Sequence, residues 1–193
     1  MKKSQAIFLV ITIMAFTLSA CAKPPVEEMS AAQDAVTRAE NNAGAVTYAG
    51  NTLIRARDAL ARMQEEANAK RYDEAKNFAA EATALAERAI AEGQAGITRA
   101  RNEAALLLNN LSSPLAETAN ALNAARQAGD LDLDYDTLSG EMDQARDNYS
   151  EAQQSLAAND FNNATTKVQD VRSLLSDINA SLSEAALASS RKK

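Results

Sequence analysis

The 193-residue chain has no histidine, no tryptophan and a single cysteine, and aromatic residues make up only 4% of it. Without histidine the commonest general base and metal ligand is missing. A serine nucleophile would need a lysine or carboxylate partner, and no spacing in the chain nominates one. Carboxylates are plentiful but spread along the chain at helical spacings instead of gathering. The expectation is therefore a protein that is not an enzyme, with no catalytic residues, no cofactor, no metal and no small-molecule substrate.

Long apolar runs are scarce too. Lys2 and Lys3 form a positive start, and the uncharged, mostly apolar run Ala6 to Leu18 is 13 residues long. A bilayer-spanning helix takes ~20, whereas this length suits a signal-peptide core followed by small residues at a cleavage site. The small residues are Ser19 and Ala20, and Cys21 comes next.

The string Leu18-Ser19-Ala20-Cys21 resembles the lipobox of bacterial lipoproteins. The resemblance implies that the Cys21 thiol takes a diacylglycerol as a thioether, that a peptidase cuts before Cys21, and that the new α-amino group is acylated. Each buried methylene contributes ~0.8 kcal/mol and stable anchoring needs more than one chain, so two or three chains would make the protein a membrane resident. Ala22, where some lipoproteins carry Asp, implies transfer to the inner leaflet of the outer membrane, facing the periplasm. With Cys21 acylated, no thiol is left for a disulfide or redox site. Lys23-Pro24-Pro25 reads as a short, stiff spacer that would hold the folded part slightly off the headgroups.

Loss of residues 1–20 removes Lys2 and Lys3 from the 20 basic side chains, leaving 18 against 26 acidic ones, a balance of −8. A surface so acidic disfavours nucleic acid and anionic headgroups as broad electrostatic partners. The partners expected instead are the membrane, through lipid on Cys21, and envelope proteins or peptidoglycan.

Nearly everything after residue 26 has helical periodicity, and no alternating strand pattern competes with it. Six stretches stand out. The first, Met29 to Ala43, is expected to stop at Gly44, before a loop containing Tyr48 and Gly50. Leu53 to Ala67 is the second. A long third runs from Asp73 to Leu111, ~58 Å if continuous, with Gly93 and Gly96 marking a bend or a close helix contact. Ser113 is expected to cap the fourth, with Pro114 at its first position and Gly129 at its end. Leu138 to Leu156 and Phe161 to Ala185 complete the set. Spacings such as Asp58–Arg62, Arg62–Glu66, Glu66–Lys70 and Arg99–Glu103 predict ion pairs along exposed faces.

A weak internal repeat has a period of 89 residues. It aligns Ala56-Arg57-Asp58 with Ala145-Arg146-Asp147, Gln64 with Gln153, Tyr72 with Phe161, Ala75 with Ala164 and Leu85 with Leu174. Each copy also has a helix ending in Ala-Gly, at Ala43-Gly44 and Ala128-Gly129. The fold class expected is all-α: antiparallel helical hairpins or an elongated bundle, in two repeated three-helix units. The divisions are 1–20 (lipoprotein signal peptide), 21–25 (lipidated Cys and Pro linker), 26–111 and 114–188 (helical units) and 189–193 (basic tail). The second unit, richer in Leu, Val and Ile, should be the better packed.

Ala43-Gly44-Ala45, Tyr48, the stretch Ala56 to Leu60 and the Tyr72-Asp-x-Ala75 turn resemble a family of Ala-rich lipoprotein domains of unknown function. Members sometimes precede an OmpA-like peptidoglycan-binding module, and the resemblance brings no activity with it. The end of the chain, ALASSRKK, resembles the terminus of small zipper lipoproteins. In that family the terminal lysine amine is joined to peptidoglycan, which implies Lys193 as an attachment point. The second lysine before it and the missing nearby aromatic depart from that pattern, and a solvated basic tail favourable to the helix dipole is the plainer reading.

One loop has metal-ligand spacing. Asp130, Asp132, Asp134 and Asp136 alternate, and Glu141 is twelfth from Asp130, as in a calcium-binding EF-hand loop. Tyr135 stands where that loop's sharp turn wants glycine, and Thr137 where an apolar residue belongs. The competing expectation has Asp136 capping the fifth helix while Leu131, Leu133 and Tyr135 cover the bundle.

Overall fold

A computed structural model describes residues 23–191. Leu18, Ser19, Ala20, Cys21 and Lys193, which carry the lipobox and wall-attachment expectations, lie outside the described residues. Among the described residues the protein is all-α, with no strand.

Seven helices follow in order among the described residues: α1 (Val26–Glu40), α2 (Ala43–Tyr48), α3 (Gly50–Asn68), α4 (Tyr72–Asn109), α5 (Ser112–Ala128), α6 (Tyr135–Ala157) and α7 (Phe161–Arg191). One compact unit ends at Gly96 and a second begins at Ile97, so the division falls inside α4, upstream of the Ser112–Pro114 turn. The reason lies in the last turns of α4. Ala104, with Ile97 and Ala100 packed against it, closes over Phe161 and Ala164 of the second unit.

The first unit is built on a hairpin of α3 and the first half of α4, with α1 laid against it. Glu27 and Glu28 in its first turn suit the α1 dipole. Lys76 reaches Glu28 at 2.9 Å and Arg57 reaches Glu40 at 2.6 Å, tying both ends of α1 to the hairpin. The core is mostly alanine: Ala32, Ala35 and Ala39 of α1 meet Ala56, Ala82, Ala86 and Ala89, with Val36, Leu53 and Met63 filling the remainder.

The α1 stop is three residues earlier than Gly44. Asn41 ends the helix, and the Asn42 side chain accepts from the Ala45 N–H at 2.9 Å to start α2, a short helix where a loop was expected. Gly44 is buried inside it. Of the two readings for Gly93 and Gly96, the close contact is the one found. A Cβ on Gly93 would stand 2.4 Å from the Gly44 carbonyl carbon and the Ala45 nitrogen, and one on Gly96 would stand 2.3 Å from the Tyr48 Cβ. Only glycine lets α2 lie on α4 this closely.

In the second unit, α6 and α7 form the hairpin, packed along their length by the end of α4 and by α5. Asn179 donates to the Thr118 hydroxyl at 2.9 Å, and the Tyr135 hydroxyl donates to the Ala125 carbonyl at 2.9 Å. Its core holds Leu122, Leu138, Met142, Val168, Val171, Leu175 and Ile178. Gly129 does end α5, in the left-handed region at φ 66°. It has no counterpart in the helical Gly44, so the shared Ala-Gly pairs are not structural equivalents.

The 89-residue repeat is real at the hairpin turns. Lys70 and Asn159, 89 apart, both adopt left-handed backbone, at φ 59° and 62°. Around Lys70 the amides of 69, 70, 71 and 75 donate to the carbonyls of 65, 67, 66 and 71; around Asn159 every donor and acceptor recurs 89 residues on.

Two capping expectations are corrected. Ser113 is not the N-cap of α5: the Leu111 carbonyl accepts the first bond, and the Ser113 hydroxyl donates to Glu117 at 2.6 Å. Pro114 still falls in the first turn, where its missing N–H costs little. At α6 the cap is Asp134, which accepts from the Thr137 N–H at 3.1 Å, while Asp136 reaches Arg126 at 3.0 Å.

Candidate functional site

The acidic loop cannot gather as a calcium loop does, because α6 already begins at Tyr135. Asp134 uses both carboxylate oxygens on Thr137, and the Thr137 N–H and hydroxyl hold its carboxyl below the ordinary range. Asp136 faces Arg126, and Glu141 sits on the helix. Among the described residues no group of three or more acidic side chains converges on a point where a cation would sit. Leu133 and Tyr135 do pack on the core, as expected of a covering loop.

A carboxylate and a hydroxyl meet in the first unit, where Thr52 donates to Glu92 at 2.6 Å. Arg88 takes the other carboxylate oxygen at 2.7 Å. The Thr52 hydroxyl first, and Arg88 after it, keep the Glu92 carboxyl below its ordinary value. A carboxylate so engaged is a poor base; the arrangement staples α3 to α4.

One face of each hairpin carries a shallow polar groove at the same repeat positions, lined by Arg55, Ala59 and Glu81 in the first unit and by Gln144, Asn148 and Asp170 in the second. The contact beside each groove differs in chemistry. Arg62 lies 5.8 Å from the Phe78 ring centroid, whereas 89 residues on Glu151 pairs with Lys167. That Lys167 ammonium, held above its ordinary range chiefly by Glu151, also donates to buried Asn148 at 3.3 Å. The four ion pairs expected from spacing are not among those formed: Glu66 pairs with Arg71 in the turn, and Arg62 turns to Phe78.

A partly apolar groove lies where α1 begins. It has a volume of about 360 Å³, with Met63 as its floor, Met29 and Tyr72 as its partly buried walls and Val26 exposed on its rim. Hydroxyl and amide groups of Ser30, Gln33 and Gln64 share the lining. Pro24 lines it too, where the chain enters α1: the Pro24 carbonyl accepts from Val26 and that of Pro25 accepts from Met29. Nothing in the sequence pattern marks this groove, since its walls come from three helices.

Residues 27–105 match the family model of a domain of unknown function (DUF4398), a stretch that covers α1 to α3 and most of α4. No curated protein and no solved structure matches the chain. Among the described residues no helix is long and apolar enough to cross a membrane.

Proposed function

We propose that the chain is the precursor of a lipid-anchored, non-enzymatic helical scaffold or adaptor of the bacterial cell envelope, held at the outer membrane and facing the periplasm. The observation that carries this reading is the order of residues at the start: a lysine pair, a 13-residue apolar run, then Leu18-Ser19-Ala20 and the single cysteine. The helix faces supply contact surface in place of chemistry. In support, the buried polar side chains among the described residues are all satisfied internally, which suits a folded support.

A second reading is favoured by the terminal Arg191-Lys192-Lys193, namely an outer membrane to peptidoglycan tether through the Lys193 amine. Intact mass of the mature protein tests both, taken from the detergent-soluble envelope and from lysozyme-digested peptidoglycan. A diacyl or triacyl mass at Cys21 with no muropeptide adduct supports the scaffold. A muropeptide on Lys193 replaces it with the tether, and an unlipidated mass beginning elsewhere sinks both.

A further inference from the structure

The geometry points to a lipid-seating surface at the end of the first unit, formed by the start of α1 and the α3–α4 turn. This inference rests on the lipoprotein reading of Cys21 and adds a second contact to it. Sequence alone assigns Pro24 and Pro25 to a spacer, but Pro24 lines the groove and the Pro25 carbonyl accepts from Met29 in the first turn of α1. Only three residue steps separate Cys21 from Pro24, a reach of at most ~10 Å. A tether that short brings the rim residue Val26, 66% exposed, and the groove behind it to the lipid surface.

The lining suits the interface of a lipid layer. Met29, Met63 and Tyr72 offer apolar wall and floor to acyl carbon, and Tyr favours the depth where one end is apolar and the other wet. Ser30, Gln33 and Gln64 present hydroxyl and amide donors of the kind that meet ester carbonyls and phosphodiesters. Neutral donors dominate, so the seat should hold on zwitterionic lipid and respond weakly to salt.

The test uses the full acylated protein in phosphatidylethanolamine–phosphatidylglycerol vesicles, after intact mass has established acyl chains on Cys21. With that thiol blocked, Val26→Cys and Val46→Cys each give one labelling site for an environment-sensitive fluorophore. Val46 is a fair control: it is 52% exposed in the same unit, on α2 beside Gly93. Along α4 that is ~30 Å from Tyr72. The expected result is a blue shift, a two-fold or greater rise in emission and quenching by headgroup-proximal spin-labelled lipid at position 26, with none of these at position 46. No change at 26, or equal change at both, in protein with acylated Cys21 overturns the seat while leaving the anchor intact. Absence of acyl mass overturns the anchor itself, and the seat with it.

Discussion

The two hairpins turn through the same backbone hydrogen bonds, yet they bury different side chains between their helices. Where α4 contributes Ala79, Ala82, Ala86 and Ala89, α7 contributes Val168, Val171, Leu175 and Ile178, each 89 residues on and each buried. These four exchanges add ten buried carbons, an upper estimate of ~8 kcal/mol at 0.8 kcal/mol each. The first unit uses the space differently. Continued along the same face, the series reaches Gly93 and Gly96 against Leu182 and Ala185, and at the glycines α2 comes into backbone contact. One unit draws its cohesion from buried area, and the other from how closely chains approach. A turn sequence thus fixes a hairpin without dictating what packs inside it.

Removing area should hurt most. Ile178→Ala, which gives α7 the residue α4 has at Ala89, is expected to cost about 3 kcal/mol in urea unfolding of the full chain. A loss below about 1 kcal/mol would mean that the second unit collapses onto the gap and the contrast in area is not energetic. Gly93→Ala comes next. Helix propensity alone favours it by ~1 kcal/mol, but the new Cβ meets backbone at 2.4 Å, which no side-chain rotation relieves. Overpacking of this kind costs ~1–3 kcal/mol, so a net loss is expected, with faster amide exchange in α2 and none in α6 or α7. A net gain would show that α2 lifts away freely.

Acid should separate the units more gently. Glu28, Glu66 and Glu92 in the first unit have carboxyl pKa values below the ordinary 4.5, through Lys76, Arg71 and Thr52 respectively; in the second, Asp134 is lowered through Thr137. For a carboxylate whose folded value is depressed, the stabilisation is present above the unfolded value and disappears as pH falls through the folded one. Amide exchange followed from about pH 6 to 3 should therefore show the first unit losing protection sooner as pH drops below about 4.5. Equal loss would place the acid response elsewhere. The smallest effect concerns the turns themselves. Lys70 and Asn159 share left-handed backbone, but asparagine tolerates it better than lysine. Lys70→Gly is expected to stabilise by about 0.5 kcal/mol and Asn159→Gly by less, measured as Tm.

Local signals were readable wherever a helix obeyed its own chemistry. The period of three and four, the hairpin turns at Lys70 and Asn159 and the stop at Gly129 all lie within a few residues of their causes. The short α2 was hidden because six residues hold fewer than two turns, and its place is set by α4. The ion pairs failed for a related reason. A spacing of four offers Glu66 to Lys70, but the turn brings Arg71 to the same carboxylate. Likewise Ser113 and Asp136 have the right side chains for caps, yet Glu117 and Arg126 engage them and the helices start one to two residues away. As for the candidate site, its polar members were ordinary surface residues in sequence; only the meeting of α1, α3 and α4 makes a groove of them.

The sequence by itself determined an all-α chain, the repeat and the six longer helices, because periodicity and turn chemistry act over a few residues. Tertiary structure alone decided that α4 serves two units, that Gly93 and Gly96 are contact points rather than a bend, and that Pro24 shares a groove with Met63. Each of these depends on atoms far apart in the chain filling one space: the glycines at 93 and 96 mark a bend or a contact in sequence, and only the approach of α2 decides between them.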